Sequence, residues 1–206
     1  MPQKILIATK NPGKIKEFQA ILDGTVQCLS LEDFADIPEV LEEGSTFAEN
    51  ARKKAIEYAK ATGLRTLSDD SGLVVDALGG APGVYSARYA GVTGSDRQMI
   101  DQANIQKLLQ DLEGIPLNRR RACFVCHICL ADPDRVLLEC EGSVEGRIID
   151  EPRGDNGFGY DPVFLLPEFE QTAAQLSKDQ KNIISHRGQA IAQLIPKWQK
   201  LLRSSR

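Results

Sequence analysis

Apolar and polar positions along this chain fall into blocks with two different periods. Lys4 to Thr9 is a short apolar strand that runs into Lys10-Asn11-Pro12-Gly13-Lys14. After it, Ile15, Phe18, Ile21 and Leu22 recur at helical spacing, with Asn11 placed to cap the helix and Pro12 at its first position. Val26 to Leu31 predicts a second strand. Thr46-x-x-Glu49 is a capping box opening a helix to about Thr62, and Gly63 is its stop. Arg65 to Asp69 and Leu73 to Ala77 read as two extended stretches, followed by a loop at Gly79 to Gly83. Ser95 is placed to cap a long helix that reaches about Glu113. Arg121 to Ala131 and Arg135 to Gly146 predict a hairpin around Asp132-Pro133-Asp134. The last helix starts near Ser185 or Arg187 and carries Ile191, Leu194, Ile195, Trp198, Leu201 and Leu202. Pro196 should kink or restart it.

Helices alternate with strands early, and a long hairpin follows. The pattern predicts an α/β protein with a mixed sheet, not a fully parallel doubly wound one. The 206 residues suit one domain or two closely packed lobes, and no repeat, low-complexity stretch or Pro/Gly/Ser linker divides them. A hydrophobic content of 42% is enough for a real core.

Net charge is only −4, so no global basic field draws the chain to nucleic acid or to an anionic membrane. A phosphate-bearing ligand must therefore be gripped by a local cluster of donors. No apolar run approaches the roughly 18 residues needed to span a bilayer. The first residues lack a signal peptide's long apolar region, and the expected compartment is the cytoplasm. Five cysteines, without an export signal, argue against a disulfide framework. Cys123-x-x-Cys126-His127-x-Cys129 invites a zinc reading. On a strand, however, Cys123 and Cys129 share one face while Cys126 takes the other, which is poor geometry for one metal.

Five stretches carry candidate chemistry. Thr9-Lys10-Asn11-Pro12-Gly13-Lys14 leads from a strand into a helix N-terminus, where free N–H groups and the helix dipole suit an anion. It is not a Walker A loop, and an ordinary turn with solvated lysines is the plainer account. Lys54 falls inside the apolar stripe set by Phe47, Ala51, Ala55 and Tyr58, whereas Lys53 points away. It either snorkels or faces an anion in a cleft. Glu42-Glu43 and Asp69-Asp70 each precede a glycine turn and are suitable oxygen ligands for a hard cation such as Mg²⁺. Gly154 to Pro162 places Phe158 and Tyr160 in a glycine-rich loop, where an aromatic ring can stack a base. Lys181 and Ser185-His186-Arg187-Gly188 supply donors at a helix start, though a capping serine beside solvated side chains would read the same way.

Together these stretches provide anion donors, hard-metal acids, a stacking ring and donors for a carbonyl. A nucleoside triphosphate site needs all four. Spacing alone supports no Ser-His-Asp or Cys-His nucleophile, so attack by water is the simpler chemistry.

The motifs also form an ordered set. Thr9-x-Asn11-x-x-Lys14, Glu42-x-Gly44-x-Thr46-Phe47-x-Glu49-Asn50-Ala51, Ser68 to Leu73, Gly79 to Tyr89, Gly157 to Pro162 and Ser185 to Gly188 resemble the inosine triphosphate pyrophosphatase family. Its members are dITP/XTP pyrophosphatases that remove deaminated purine nucleotides. The resemblance covers nearly the whole chain. It implies a single ITPase-like domain over residues 1–206: an elongated two-lobed α/β fold around a long curved mixed sheet, with the site in the cleft between lobes, usually as a homodimer. It also implies that Thr9, Asn11, Lys14 and Lys54 hold the triphosphate, within the loop that includes Lys10, Pro12 and Gly13. Asp70 would be proton acceptor and Mg²⁺ ligand, with Glu42 as the other acidic ligand and Ser71 beside the substrate. Phe158 would stack on the base, Gly159, Tyr160 and Asp161 would complete its loop, and Lys181, His186 and Arg187 would contact the base edge. Because Glu43 is also acidic, the choice between Glu42 and Glu43 stays open.

Overall fold

The computed structural model describes residues 3–22, 26–34, 36–94 and 96–204. Seven strands form one mixed sheet in the order β2-β1-β3-β4-β5-β6-β7. The chain divides into two compact units. The first comprises the described residues of Met1–Asp70, Cys126–Gly142 and Gln189–Arg206. The second comprises those of Ser71–Val125 and Ser143–Gly188. Among the described residues, no helix is long and apolar enough to cross a membrane.

In the first unit β1 (Gln3–Ile7) pairs in parallel with both β2 (Val26–Ser30) and β3 (Arg65–Val75). Both faces of β1 are also covered, Ile5 and Ile7 packing with Phe18 and Leu6 with Tyr58, which is why these strand residues run apolar without alternation and are all buried. Helix α1 (Pro12–Leu22) adds Phe18 and Leu22 to this core. Helix α2 (Phe47–Thr62) is capped by Thr46, whose side chain accepts the Glu49 N–H, and it ends at Gly63 in the left-handed conformation. The Glu49 carboxylate accepts from the N–H and hydroxyl of Ser45. The buried face of α2 carries Asn50, Ala51, Lys54, Ala55, Tyr58 and Ala59. Ala51 and Ala55 pack with Cys129 and Ala131, and the Ser68 hydroxyl reaches the Ala51 carbonyl at 2.5 Å.

Strand β3 runs unbroken through Asp69-Asp70-Ser71-Gly72, where the sequence suggests two separate stretches. Aspartate and glycine have little intrinsic preference for strands. Tertiary partners for both carboxylates override that preference here. β4 (Arg121–Asp132) and β5 (Arg135–Ile148) form the expected hairpin, since a two-residue connection permits only an antiparallel return.

In the second unit α3 (Arg97–Asp111) is capped by Asp96. The cap expected at Ser95 lies outside the described residues. Leu73, Leu108, Ile148, Val163 and Phe164 form the centre of this core. Two short strands extend the sheet, β6 (Phe164–Leu166) antiparallel to β5 and β7 (Gln171–Thr172) antiparallel to β6; at three and two residues they are too short to show a period in sequence. Helix α4 (Lys178–Ile184) is capped by Ser177 and leads through Ser185 into α5 (His186–Ser204). Pro196 sits inside α5 without restarting it. All five cysteines are free thiols.

Candidate active site

Each unit contains one cluster of the residues singled out by sequence. In the first unit, Asp69 and Asp70 lie side by side on β3, and α1, α2 and the segment before α2 bring charge to them. Lys14 Nζ lies 2.6 Å from Asp69 Oδ2. Lys54 Nζ donates to Glu42 Oε1 at 2.7 Å and to the Asp69 carbonyl at 2.7 Å, and it lies 3.9 Å from Asp70 Oδ1. Asn50 Nδ2 donates to Asp70 Oδ2 at 2.9 Å. Lys54, Asp69, Asp70 and Asn50 are all buried.

Three carboxylates thus face two ammonium groups, and the titration behaviour follows. Burial alone would lower the Lys54 pKa, but Asp69, Asp70 and Glu42 outweigh it and raise it above the ordinary lysine value. Asp70 is pushed above the usual aspartate value, first by burial and then by the charge of Glu42, against the opposing pull of Lys54, Asn50 and Lys14. Burial is thus the leading cause, and an added cation would favour the ionised form.

The remaining phosphate-loop residues divide. Thr9 Oγ1 accepts the Asn11 N–H at 3.2 Å, and Asn11 Oδ1 accepts the Lys14 N–H at 3.4 Å, which sets the start of α1. Lys10 points to solvent and pairs with Glu39 at 2.9 Å. Pro12 and Gly13 are the first residues of α1. The adjacent acids divide too: Glu42 turns to Lys54, whereas Glu43 is exposed and pairs with Lys53 at 2.9 Å.

In the second unit the Phe158 ring has Lys181 Nζ 5.1 Å and Arg187 Cζ 5.9 Å from its centroid. Arg187 is buried, and its Nη2 donates to Ser71 Oγ at 3.1 Å. Asp161 turns back on its own loop. Its Oδ2 accepts the Phe158 N–H at 2.8 Å and pairs with Lys181. The Gly159 N–H reaches Asp101 Oδ2 at 2.8 Å. The Tyr160 hydroxyl is buried on the Ser86 carbonyl at 2.9 Å, and burial raises its pKa above the ordinary tyrosine value. His186 stacks on Phe124 with centroids 5.0 Å apart and 15° between planes. Phe124, Lys181, Ser185 and His186 line one cavity. The Ser185 hydroxyl accepts the Gly188 N–H at 3.1 Å and so caps α5.

Sequence reasoning gave no role to Asn50, Phe124 or Asp101. A signal existed for Asn50, a fully polar side chain on the apolar stripe of α2. Phe124 looked like any strand aromatic.

With this geometry in place, comparison with known proteins settles kinship. A family model described as the Ham1 family matches residues 5–197. The chain belongs to the Ham1 family. A dITP/XTP pyrophosphatase of Geobacter sulfurreducens is 52% identical over 192 residues, covering 93% of this chain and 94% of that one. Among solved Ham1 structures, a HAM1 protein from Coxiella burnetii is 44% identical with a TM-score of 0.87, covering 96% of this chain and 99% of its own. A nucleoside-triphosphatase / dITP/XTP pyrophosphatase from Mycobacterium abscessus is also 44% identical, with a TM-score of 0.78 over 94% of this chain and 100% of that one. The mixed α/β sheet expected from the sequence, seven-stranded in the structure, is thus the sheet of a Ham1 fold.

Proposed function

We infer that this Ham1-family chain is a nucleoside-triphosphate pyrophosphohydrolase that converts ITP, dITP and XTP to the monophosphate and pyrophosphate. In this way it would clear deaminated purines from the precursor pool. The observation that carries the reading is the Asp70 carboxylate, buried, bound by Asn50 and set against Lys54. Burial raises the Asp70 pKa above the ordinary aspartate value, which makes it a better proton acceptor than an exposed aspartate.

In this reading a water attacks the α-phosphorus, the bond to the bridging oxygen of pyrophosphate breaks, and Asp70 accepts the water's proton. Lys14 and Lys54 exchange part of their hold on carboxylates for the phosphate oxygens. They stabilise the charge that spreads there in the transition state, which is the dominant contribution in such displacements. The donor set suits Mg²⁺: hard carboxylate oxygens with excess negative charge, which Glu42 and Asp70 would direct to the ion. Bound there, Mg²⁺ would neutralise triphosphate charge.

The second unit supplies the base chemistry. Phe158 offers a ring face, while Arg187, Lys181 and His186 offer donors. Hypoxanthine and xanthine carry a 6-keto acceptor where adenine carries an amino donor. Donors therefore match the former and leave the latter mispaired, a mismatch able to discriminate by about 10⁴. A homodimer and a cytoplasmic site of action, alongside the nucleotide pool, belong to the same proposal.

The test is a panel of triphosphates incubated with the protein, with and without Mg²⁺, and with both phosphate products quantified. Pyrophosphate and monophosphate from ITP, dITP and XTP, dependent on Mg²⁺, is the expected result. Release of orthophosphate would mean that a different bond is cut and would overturn the reading. Preferential hydrolysis of a pyrimidine would overturn the base assignment.

A further inference from the structure

Asn50 is wholly buried, yet both ends of its amide are used outside its own helix. Nδ2 donates to Asp70 Oδ2 at 2.9 Å, and Oδ1 accepts the Gly44 N–H at 2.7 Å. These partners leave a single orientation for the amide. A flipped group would set N–H against N–H at Gly44 and oxygen against carboxylate at Asp70.

The two bonds tie together two elements of the first unit. One is β3, which carries Asp70. The other is the segment before α2, in which Glu42 lies two residues ahead of Gly44. That segment lies flat on the first turn of α2. A Cβ at residue 44 would sit 2.7 Å from Asn50 Oδ1 and 2.8 Å from Glu49 Cβ. Only glycine permits the approach, and Glu42 is thereby delivered to Lys54. At the other end, engaging Oδ2 fixes the rotation of the Asp70 carboxylate and leaves Oδ1 toward Lys54. Neither aspartate nor glutamine could substitute: one sets carboxylate against carboxylate, and the other adds a methylene to a fully buried side chain.

We propose that Asn50 is a positioning residue for hydrolysis, a buried amide strut that sets the Asp70 carboxylate and the Glu42 segment in register. The proposal rests on the reading of Asp70 as proton acceptor. Misplacing a reacting group by about 1 Å costs on the order of 100-fold in rate. The strut acts on the turnover step, not on capture of the nucleotide.

Asn50→Asp keeps the acceptor for Gly44 and loses the donor for Asp70. Gly44→Ala keeps the amide and displaces the segment. Each is assayed for kcat on ITP, and for affinity by calorimetry with the non-hydrolysable α,β-methylene analogue of ITP, alongside Asp70→Asn. The expected result is a drop in kcat of about 10- to 100-fold in both variants, with affinity within about threefold of the parent. The double variant should be no slower than the slower single, because the two share one strut. Parental kcat in Asn50→Asp, or a loss confined to affinity, overturns the proposal. If Asn50→Asp does not fold, Gly44→Ala decides alone by the same split. Asp70→Asn separates the two failures. If it retains full turnover, the proton-acceptor reading falls and the strut with it. If it is inactive while the Asn50 and Gly44 variants keep parental kcat, only the strut falls.

Discussion

Lys14 Nζ lies 2.6 Å from Oδ2 of Asp69, a carboxylate whose side chain is wholly buried. A buried charge is tolerated only with a partner, and removing one member of such a pair leaves the other uncompensated. Lys14→Met should lower the free energy of unfolding by about 3 kcal/mol, measured by urea titration. Adding Asp69→Asn should restore most of that loss, because the orphaned charge goes with it. Equal destabilisation in the single and double variants would mean that Lys14 contributes by packing and not by pairing.

Lys54 faces three oxygens from two chain segments, the stretch before α2 and β3, so its loss reaches further than one contact. Its pKa is raised in the folded state, so its stabilising contribution is fully present below the ordinary lysine value and fades only as pH rises through the higher folded value. Across the neutral range the ammonium is intact. Lys54→Met should reduce kcat/KM for ITP by about 100-fold or more, as expected for a preorganised donor to a transition-state oxygen. A pH profile unchanged in shape between 6 and 9 would accompany the parent's lysine; a basic limb in that interval assigned to Lys54 would contradict the raised pKa.

Asp70 carries the opposite sign for stability. Its folded pKa lies above the ordinary aspartate value, chiefly through burial. The folded state therefore binds the proton more tightly than the unfolded chain. This contribution is present below the unfolded value and is lost as pH rises through the folded one. With metal removed by chelation, Asp70→Asn should melt above the parent at pH 8, and the difference should shrink toward pH 4. Turnover should be nearly abolished in the same variant, a trade of stability for function at one residue.

Phe158 has two cations against its ring, and His186 is held by Phe124. Stacking of a base on an aromatic ring is worth about 1–3 kcal/mol, so Phe158→Ala should raise KM for ITP by roughly 10- to 100-fold with a smaller change in kcat. Phe124→Leu removes the ring under His186. It should reduce the ratio of ITP to ATP turnover in the same direction as His186→Ala. A ratio unchanged in both variants would remove His186 from base selection.

The asymmetry between neighbouring residues shows where sequence reading stops. Helical periodicity separated Lys54 from Lys53, since one falls on the apolar stripe and the other does not. No such rule separated Glu42 from Glu43, because the segment before α2 has no period. There the decision belongs to Gly44, whose close approach to Asn50 turns Glu42 toward Lys54 and leaves Glu43 at the surface with Lys53. Strand β3 teaches the same lesson. Its acids and glycine argue locally for a break, but Lys14, Lys54 and Asn50 meet the carboxylates and the strand runs on.

By itself the sequence determined most of the longer helices and strands, the class of the sheet and the residue types that chemistry requires. Those properties depend on neighbours three or four positions away, or on ordered motifs. Only the tertiary structure decided which charges meet. It paired Lys14 with Asp69, turned Lys10 out to Glu39, folded Asp161 back on Lys181, and gave Asn50 two partners from different segments. Electrostatic partners are fixed by distance in space and by burial, and neither quantity is a function of spacing along the chain.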